Sequence, residues 1–176
     1  DLRSGEVHAL CGENGAGKST LIKLLAGVHP HGTYEGEILI DGRPASLRST
    51  RDAERAGIAI IHQELALFPE MSVGENLFLG ALPTRRGRID WDQVYARSAA
   101  TLAECGMTLD PAARVGDLGV GQQQLVEIAR AIQRQPRVLV LDEPTAALAQ
   151  SEIATLLALV RRLRDQGVAC VFISHK

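Results

Sequence analysis

Residues 12–19 read Gly12-Glu13-Asn14-Gly15-Ala16-Gly17-Lys18-Ser19. The pattern is G-x-x-x-x-G-K-[ST], and it decides the fold because such a loop works only between a strand and a helix. Both flanks are present. An apolar, strand-like segment over 6–11 precedes it, and a helical pattern from Thr20 to Gly27 follows. Glycines let backbone N–H groups turn inward around phosphates, and a helix N-terminus adds partial positive charge. Gly12, Glu13, Asn14, Gly15, Ala16, Gly17, Lys18, Ser19 and Thr20 are therefore candidate nucleotide-binding residues. Lys18 is placed to reach the β- and γ-phosphates, and the Ser19 hydroxyl to ligate Mg²⁺.

Downstream of this loop the chain alternates. Leu21, Leu24, Leu25 and Val28 fall at i, i+3, i+4 and i+7, which predicts one apolar helix face. Residues 34–41 read as an extended stretch closing at the turn dipeptide Asp41-Gly42, and 52–56 as a short helix. Ile58-Ala59-Ile60-Ile61 reads as a buried strand that delivers His62-Gln63-Glu64 at its end. Residues 69–134 carry mostly helical patterns. One helix is expected over 91–103 with Asp90 as N-cap, and another over 122–135 with Leu125, Ile128, Ala129 and Ile132 on one face. Between them, Thr84-Arg85-Arg86-Gly87-Arg88 reads as a solvated basic loop, with contact to lipid headgroups or a partner as the alternative. The core pattern then resumes. Val138-Leu139-Val140-Leu141 is wholly apolar, as a strand covered on both faces should be. Ile153, Leu156, Leu157 and Val160 mark a helix, and residues 168–174 a last strand. Strand and helix in alternation imply a parallel sheet with right-handed crossovers.

The strand at 138–141 ends in Asp142-Glu143. Ligands bind at the carboxyl ends of strands in such sheets, so Asp142 is a candidate Mg²⁺ ligand and Glu143 a candidate general base for water. Gln63 follows another strand, and a neutral amide there can ligate Mg²⁺ or orient water. Gly119, Val120, Gly121 and Gln122 precede a helix, where backbone N–H groups can hold phosphate. His175 follows the last strand, where a neutral imidazole can bond a γ-phosphate. The last three features carry little individually; their order along the chain carries more.

In that order they resemble the ATP-binding cassette family of ATPases, over essentially the whole chain. The segment Gly119-Val120-Gly121-Gln122-Gln123-Gln124, upstream of the acid pair, singles that family out among phosphate-loop proteins. Ile61-His62-Gln63-Glu64-Leu65, the run through Ala131, and Asp142-Glu143-Pro144-Thr145-Ala146-Ala147-Leu148 look like its monosaccharide-importer branch. Tyr34-Glu35-Gly36-Glu37 after Pro30-His31-Gly32 looks most like the xylose type. The resemblance implies an α/β P-loop NTPase: a RecA-like parallel sheet with helices on both faces, an inserted α-helical subdomain and a small antiparallel β portion. It implies one truncated cassette over 1–176, with a core of 1–68 and 135–176 and a helical subdomain of about 69–134. It further implies Mg²⁺-dependent ATP hydrolysis by Lys18, Glu143, His175 and Gln63, with Ser19, Gln63 and Asp142 at the metal. Its partners would be membrane permease subunits, a second cassette and, indirectly, a periplasmic sugar-binding protein. Its place would be peripheral, on the cytoplasmic face of the inner membrane.

Three positions depart from the family pattern. Gly119 stands where a serine hydroxyl normally meets the γ-phosphate bound by the opposite cassette, and Val120 where a glycine is usual. Ala149 stands where the loop after the acid pair usually ends in aspartate. The aromatic residue that stacks on adenine in this family would fall before Asp1. Both ends read as those of a fragment, since a strand follows Asp1-Leu2-Arg3-Ser4-Gly5 almost at once and the chain ends just after the strand at 168–174. These departures keep a degenerate, non-hydrolysing module as one alternative; a soluble cassette acting on ribosomes or chromosomes is another.

Composition narrows the classes. The chain has 176 residues, 45% of them hydrophobic, which fits one globular domain with an insertion. A formal net charge of -2 and 3% aromatic residues argue against a nucleic-acid partner. No apolar stretch approaches a membrane span. Cys11, Cys105 and Cys170 are far apart and odd in number, so they read as reduced thiols, with Cys11 as a small buried hydrophobe.

Overall fold

The computed structural model describes residues 1–13 and 15–174. The chain divides into two compact units, one of residues 1–62, 135–144 and 162–176, the other of residues 63–134 and 145–161. Residues 63–68 and 145–161 thus cluster with the helical segment, beyond the 69–134 of the sequence reading.

The first unit is built on a four-stranded parallel sheet. Its strands are β1 (Val7–Cys11), β4 (Ile58–Ile61), β7 (Val138–Asp142) and β8 (Ala169–Ser174), in the order β1-β8-β7-β4. Val7 pairs with Cys170, Val138 with Ala169, and Ile58 with Val138, so the C-terminal ends of all four strands lie along one edge of the sheet. Leu139, Val140 and Leu141 are fully buried, as their unbroken apolar run requires. Helix α1 (Lys18–Leu25) packs Ile22 against Val140 and Ile173, with Leu10, Leu25 and Ile60 around them. Leu21 and Val28 are exposed. The apolar face of α1 therefore runs through Ile22, Leu25 and Ala26 rather than through Leu21 and Val28. Three leucines, an isoleucine, an alanine and a valine within residues 21–28 offer two overlapping stripes, and the sheet selects one.

A hairpin of β2 (Leu39–Ile40) and β3 (Arg43–Pro44) turns at Asp41 and Gly42, both at positive φ. Helix α2 (Thr50–Arg55) is capped by the Ser49 side chain, which accepts from the Asp52 N–H. Leu47, Ala53 and Ile58 close a second small core beneath this hairpin.

The second unit packs α3 (Val73–Leu77), α4 (Trp91–Glu104) and α5 (Val120–Gln133) on one another. Val73, Leu77, Val94, Leu102, Leu125 and Ile128 are buried between them. A capping box between Ser72 and Glu75 starts α3. Asp90 caps α4 as expected, its carboxylate accepting from the Gln93 N–H at 3.2 Å. The segment expected as a basic loop is instead a hairpin of β5 (Thr84–Arg85) and β6 (Arg88–Ile89). Arg86 at φ 52 and Gly87 at φ 78 form its two-residue turn. Helix α5 begins at Val120, two residues before the predicted start. In α6 (Gln150–Asp165) the buried positions are Leu156, Leu159, Val160 and Leu163, while Leu157 is exposed. Among the described residues no helix is long and apolar enough to cross a membrane.

Candidate nucleotide site

In the first unit the sheet edge gathers the loop at 12–19 and the acid pair at 142–143. The loop leaves the end of β1 and feeds directly into α1, with Gly17 as N-cap at φ 90 and Gly15 at φ 85. Side chains at those two positions would strain the backbone. Gly12 is held closely too, since a Cβ there would lie 3.3 Å from the Ala16 Cβ. The Lys18 ammonium folds back over the loop and donates to the carbonyl oxygens of Gly12 and Glu13, the latter at 2.9 Å. It thereby spans the concavity that the glycines leave. Ser19 and Thr20 are exposed in the first turn of α1. No side chain caps the N–H groups of that turn, which leaves them directed at the loop.

Asp142 ends β7 and Glu143 follows it. The Asp142 carboxyl is raised above its ordinary range, first by burial and then by repulsion from Glu143, while His62 and Lys18 pull it back. Those four groups therefore share one electrostatic neighbourhood. Glu143 sits at φ 48, in the left-handed region that costs an L-residue roughly 1–2 kcal/mol. Its N–H donates to the Ile173 carbonyl at 3.1 Å, which holds the chain in that turn after the strand ends. In the sequence His62 stands out only as a neighbour of Gln63. Its position just past β4, adjacent to β7 in the sheet, was the signal that it belongs with the acids.

In the second unit, Gln63 and Glu64 are exposed just after the sheet strand β4. The stretch that follows is held by α5. The Ala66 N–H donates to Glu127 Oε1 at 3.3 Å, and Arg130 Nη1 donates to the Ala66 carbonyl at 2.7 Å. Glu127 is buried and pairs with Arg130 at 3.6 Å. Sequence reasoning passed over both residues, because a glutamate and an arginine three apart on a helix look like a solvated pair.

Gly119 is the N-cap of α5, and Val120, Gly121 and Gln122 form its first turn. The Gln122 side chain reaches back to the Gly119 N–H at 3.2 Å, half of a capping box that a glycine cannot complete. Val120 is exposed. Cys11, expected to be buried, is exposed at the end of β1, whereas Cys105 and Cys170 are buried; all three are free. Asn14 and His175 lie outside the described residues.

The ABC transporter family model matches residues 1–146. The chain belongs to the ABC transporter family. Among curated proteins, it is 56% identical over 174 residues to the "Xylose import ATP-binding protein XylG" of Moorella thermoacetica, covering 99% of this chain and 34% of that protein. The protein of the same name from Escherichia coli K12 is 54% identical over 175 residues, again 99% of this chain and 34% of the relative. The chain thus spans about a third of the length of the curated relatives it matches. Among solved structures, an ATP-binding cassette of an ABC transporter in its ADP conformation superposes with a TM-score of 0.83 at 26% identity, over 99% of this chain and 72% of that one. The cbiO1 protein of Clostridium perfringens, part of the ABC transporter complex cbiONQ, superposes at 0.80 with 28% identity, over 100% of this chain and 69% of that one. The parallel sheet of this ABC cassette, with its helices, is accordingly a P-loop NTPase core.

Proposed function

We propose that this chain is the ATP-binding and ATP-hydrolysing part of an importer that drives a monosaccharide, xylose or a similar sugar, through a membrane permease. The observation that carries the reading is the convergence of Lys18, His62, Asp142 and Glu143 at the sheet edge where the glycine loop turns into α1. The near-complete coverage of this chain by xylose import ATP-binding proteins supports the sugar class.

Bound MgATP supplies the phosphoryl group and the charge that the site must neutralise. Lys18 would exchange the Gly12 and Glu13 carbonyls for phosphate oxygens, and the N–H groups at the start of α1 would hold the rest. Ser19 and Asp142, with Gln63, would hold Mg²⁺. Glu143 would accept the proton of the attacking water, and His175 would bond the γ-phosphate. Gly119 to Gln122 would serve the site of a second cassette, in the same polypeptide or in a dimer. The permease, and a periplasmic sugar-binding protein acting through it, would be the partners, with the cassette on the cytoplasmic face of the membrane.

The test is ATPase activity of the full-length protein reconstituted with its permease, with and without sugar-loaded binding proteins. Stimulation by a xylose-loaded binding protein is expected. Glu143→Gln should retain ATP binding and lose turnover by two to four orders of magnitude, as removal of a general base does. Undiminished hydrolysis in that variant removes Glu143 as the base, and hydrolysis indifferent to every binding protein removes the import reading.

A further inference from the structure

The β5–β6 hairpin and the start of α4 form a surface that the nucleotide chemistry does not use. An open groove of about 690 Å³ is lined by Arg85, Arg86, Arg88, Ile89, Trp91 and the two acids at 90 and 92. None of the three guanidinium groups has an ion pair or a side-chain hydrogen bond among the described residues. Beside them stand Ile89 at 39% exposure, Trp91 at 40% and Tyr95 at 36%. These are three of ten large hydrophobic side chains left exposed among the described residues, and they fall within seven positions. Trp91 and Tyr95 stack at 5.9 Å between ring centroids, one turn apart on α4, so the aromatic surface is continuous.

Two further observations give this surface direction. Arg86 occupies the first central position of the turn at φ 52, where asparagine or glycine fits without strain. The sequence therefore places a cation at the hairpin tip against local preference. The acids are already engaged. Asp90 caps the Gln93 N–H, and Asp92 lies in the first turn of α4, where the helix dipole offsets its charge. Asp90 and Asp92 keep their charges, so the three arginines leave the groove with a small net positive charge, carried at the hairpin tip and away from the helix start.

We propose that this hairpin and the Trp91–Tyr95 face seat directly on a bilayer surface rich in anionic phospholipid headgroups. Arginine forks match phosphate oxygens bidentately. Tryptophan and tyrosine favour the headgroup level because each has an apolar body and a polar tip. The chain carries a formal net charge of -2. An anionic surface thus repels the molecule generally and attracts it at this patch, which orients it. The contact does not depend on the nucleotide site.

The test is co-sedimentation of the full-length protein with vesicles of phosphatidylcholine alone and of phosphatidylcholine mixed with phosphatidylglycerol. Binding should require phosphatidylglycerol and fall with salt. The triple substitution Arg85→Ser, Arg86→Asn, Arg88→Ser should weaken it on the order of a hundredfold, each arginine contributing roughly a factor of five. Asparagine suits the left-handed turn, so the hairpin persists in that variant, and circular dichroism with ATPase activity checks that it does. Trp91→Ala should weaken binding at all salt concentrations. Equal binding to both vesicle types overturns the proposal, as does full binding by the triple variant. Loss of permease co-purification in the triple variant without any vesicle binding by the parent protein also overturns it and makes the hairpin a protein interface.

Discussion

The carboxylate of Glu152 occupies the space that a side chain at Gly121 would need. Its Oε2 also accepts from the Ala149 N–H at 2.8 Å, capping α6 from its third position. One side chain thereby ties the first turn of α5 to the loop that opens α6, within the second unit. Ala149 has no side chain to cap the helix itself, and Glu152 caps it instead.

Gly121→Ala should swing the flexible end of Glu152 away and lose this cap, at a cost of about 0.5–2 kcal/mol that the higher helix propensity of alanine partly offsets. In a Glu152→Ala background the same substitution meets no carboxylate and should cost far less. Urea denaturation of the four proteins gives the coupling energy. Additive effects would mean that the two residues do not share the space.

Glu127 and Arg130 grip both ends of the Ala66 peptide from α5. Glu127→Ala removes the acceptor of the Ala66 N–H and the carboxylate paired with Arg130, and should destabilise by about 1–3 kcal/mol. Arg130 is less deeply buried, and Arg130→Ala should cost less. Hydrogen exchange at residues 63–68 should quicken in both variants before the rest of the helical unit responds. Unchanged exchange there would show that the segment is held by something else.

Asp142 has a carboxyl raised above its ordinary value of 3.8. The folded state therefore holds this proton more tightly than the unfolded state. Its contribution to stability falls as pH rises from 3.8 through the folded value, and above that window the charged carboxylate beside Glu143 is unfavourable. Asp142→Asn should raise the ligand-free Tm slightly at neutral pH, because it removes a partly buried charge beside Glu143. The same variant should lose the Mg²⁺-dependent part of the Tm increase with ATP. Thermal scans with and without Mg²⁺ read both effects, and a retained Mg²⁺ increment would free Asp142 of the metal.

Burial pushes the Cys170 thiol up to about 11, and Cys105 is also buried, while Cys11 is exposed at the mouth of the glycine loop. A maleimide at neutral pH should label Cys11 first and the other two only on unfolding. MgATP should slow labelling of Cys11 at least severalfold by covering the loop. Mass spectrometry of the native and urea-unfolded protein distinguishes the sites, and early modification of Cys170 would contradict its burial.

The sequence determined the sheet strands and the glycine loop, because apolar runs at 58–61 and 138–141 can be satisfied only by burial on both faces, and the loop pattern needs a strand before it and a helix after it. It also determined the Asp90 cap and the position of the acid pair, which are local chemistry. Periodicity misjudged α1 and α6. Leu21, Val28 and Leu157 are as apolar as their neighbours, and only tertiary packing decides which stripe is covered. The hairpin at 84–89 was hidden because arginines at its turn are chemically unlike the asparagine–glycine pair that announces such turns. His62 beside Asp142, the Glu127–Arg130 grip on Ala66 and Glu152 against Gly121 belong to tertiary structure alone. Each joins residues distant along the chain or on different elements, and no local pattern records a contact whose partners are set by how strands and helices stack.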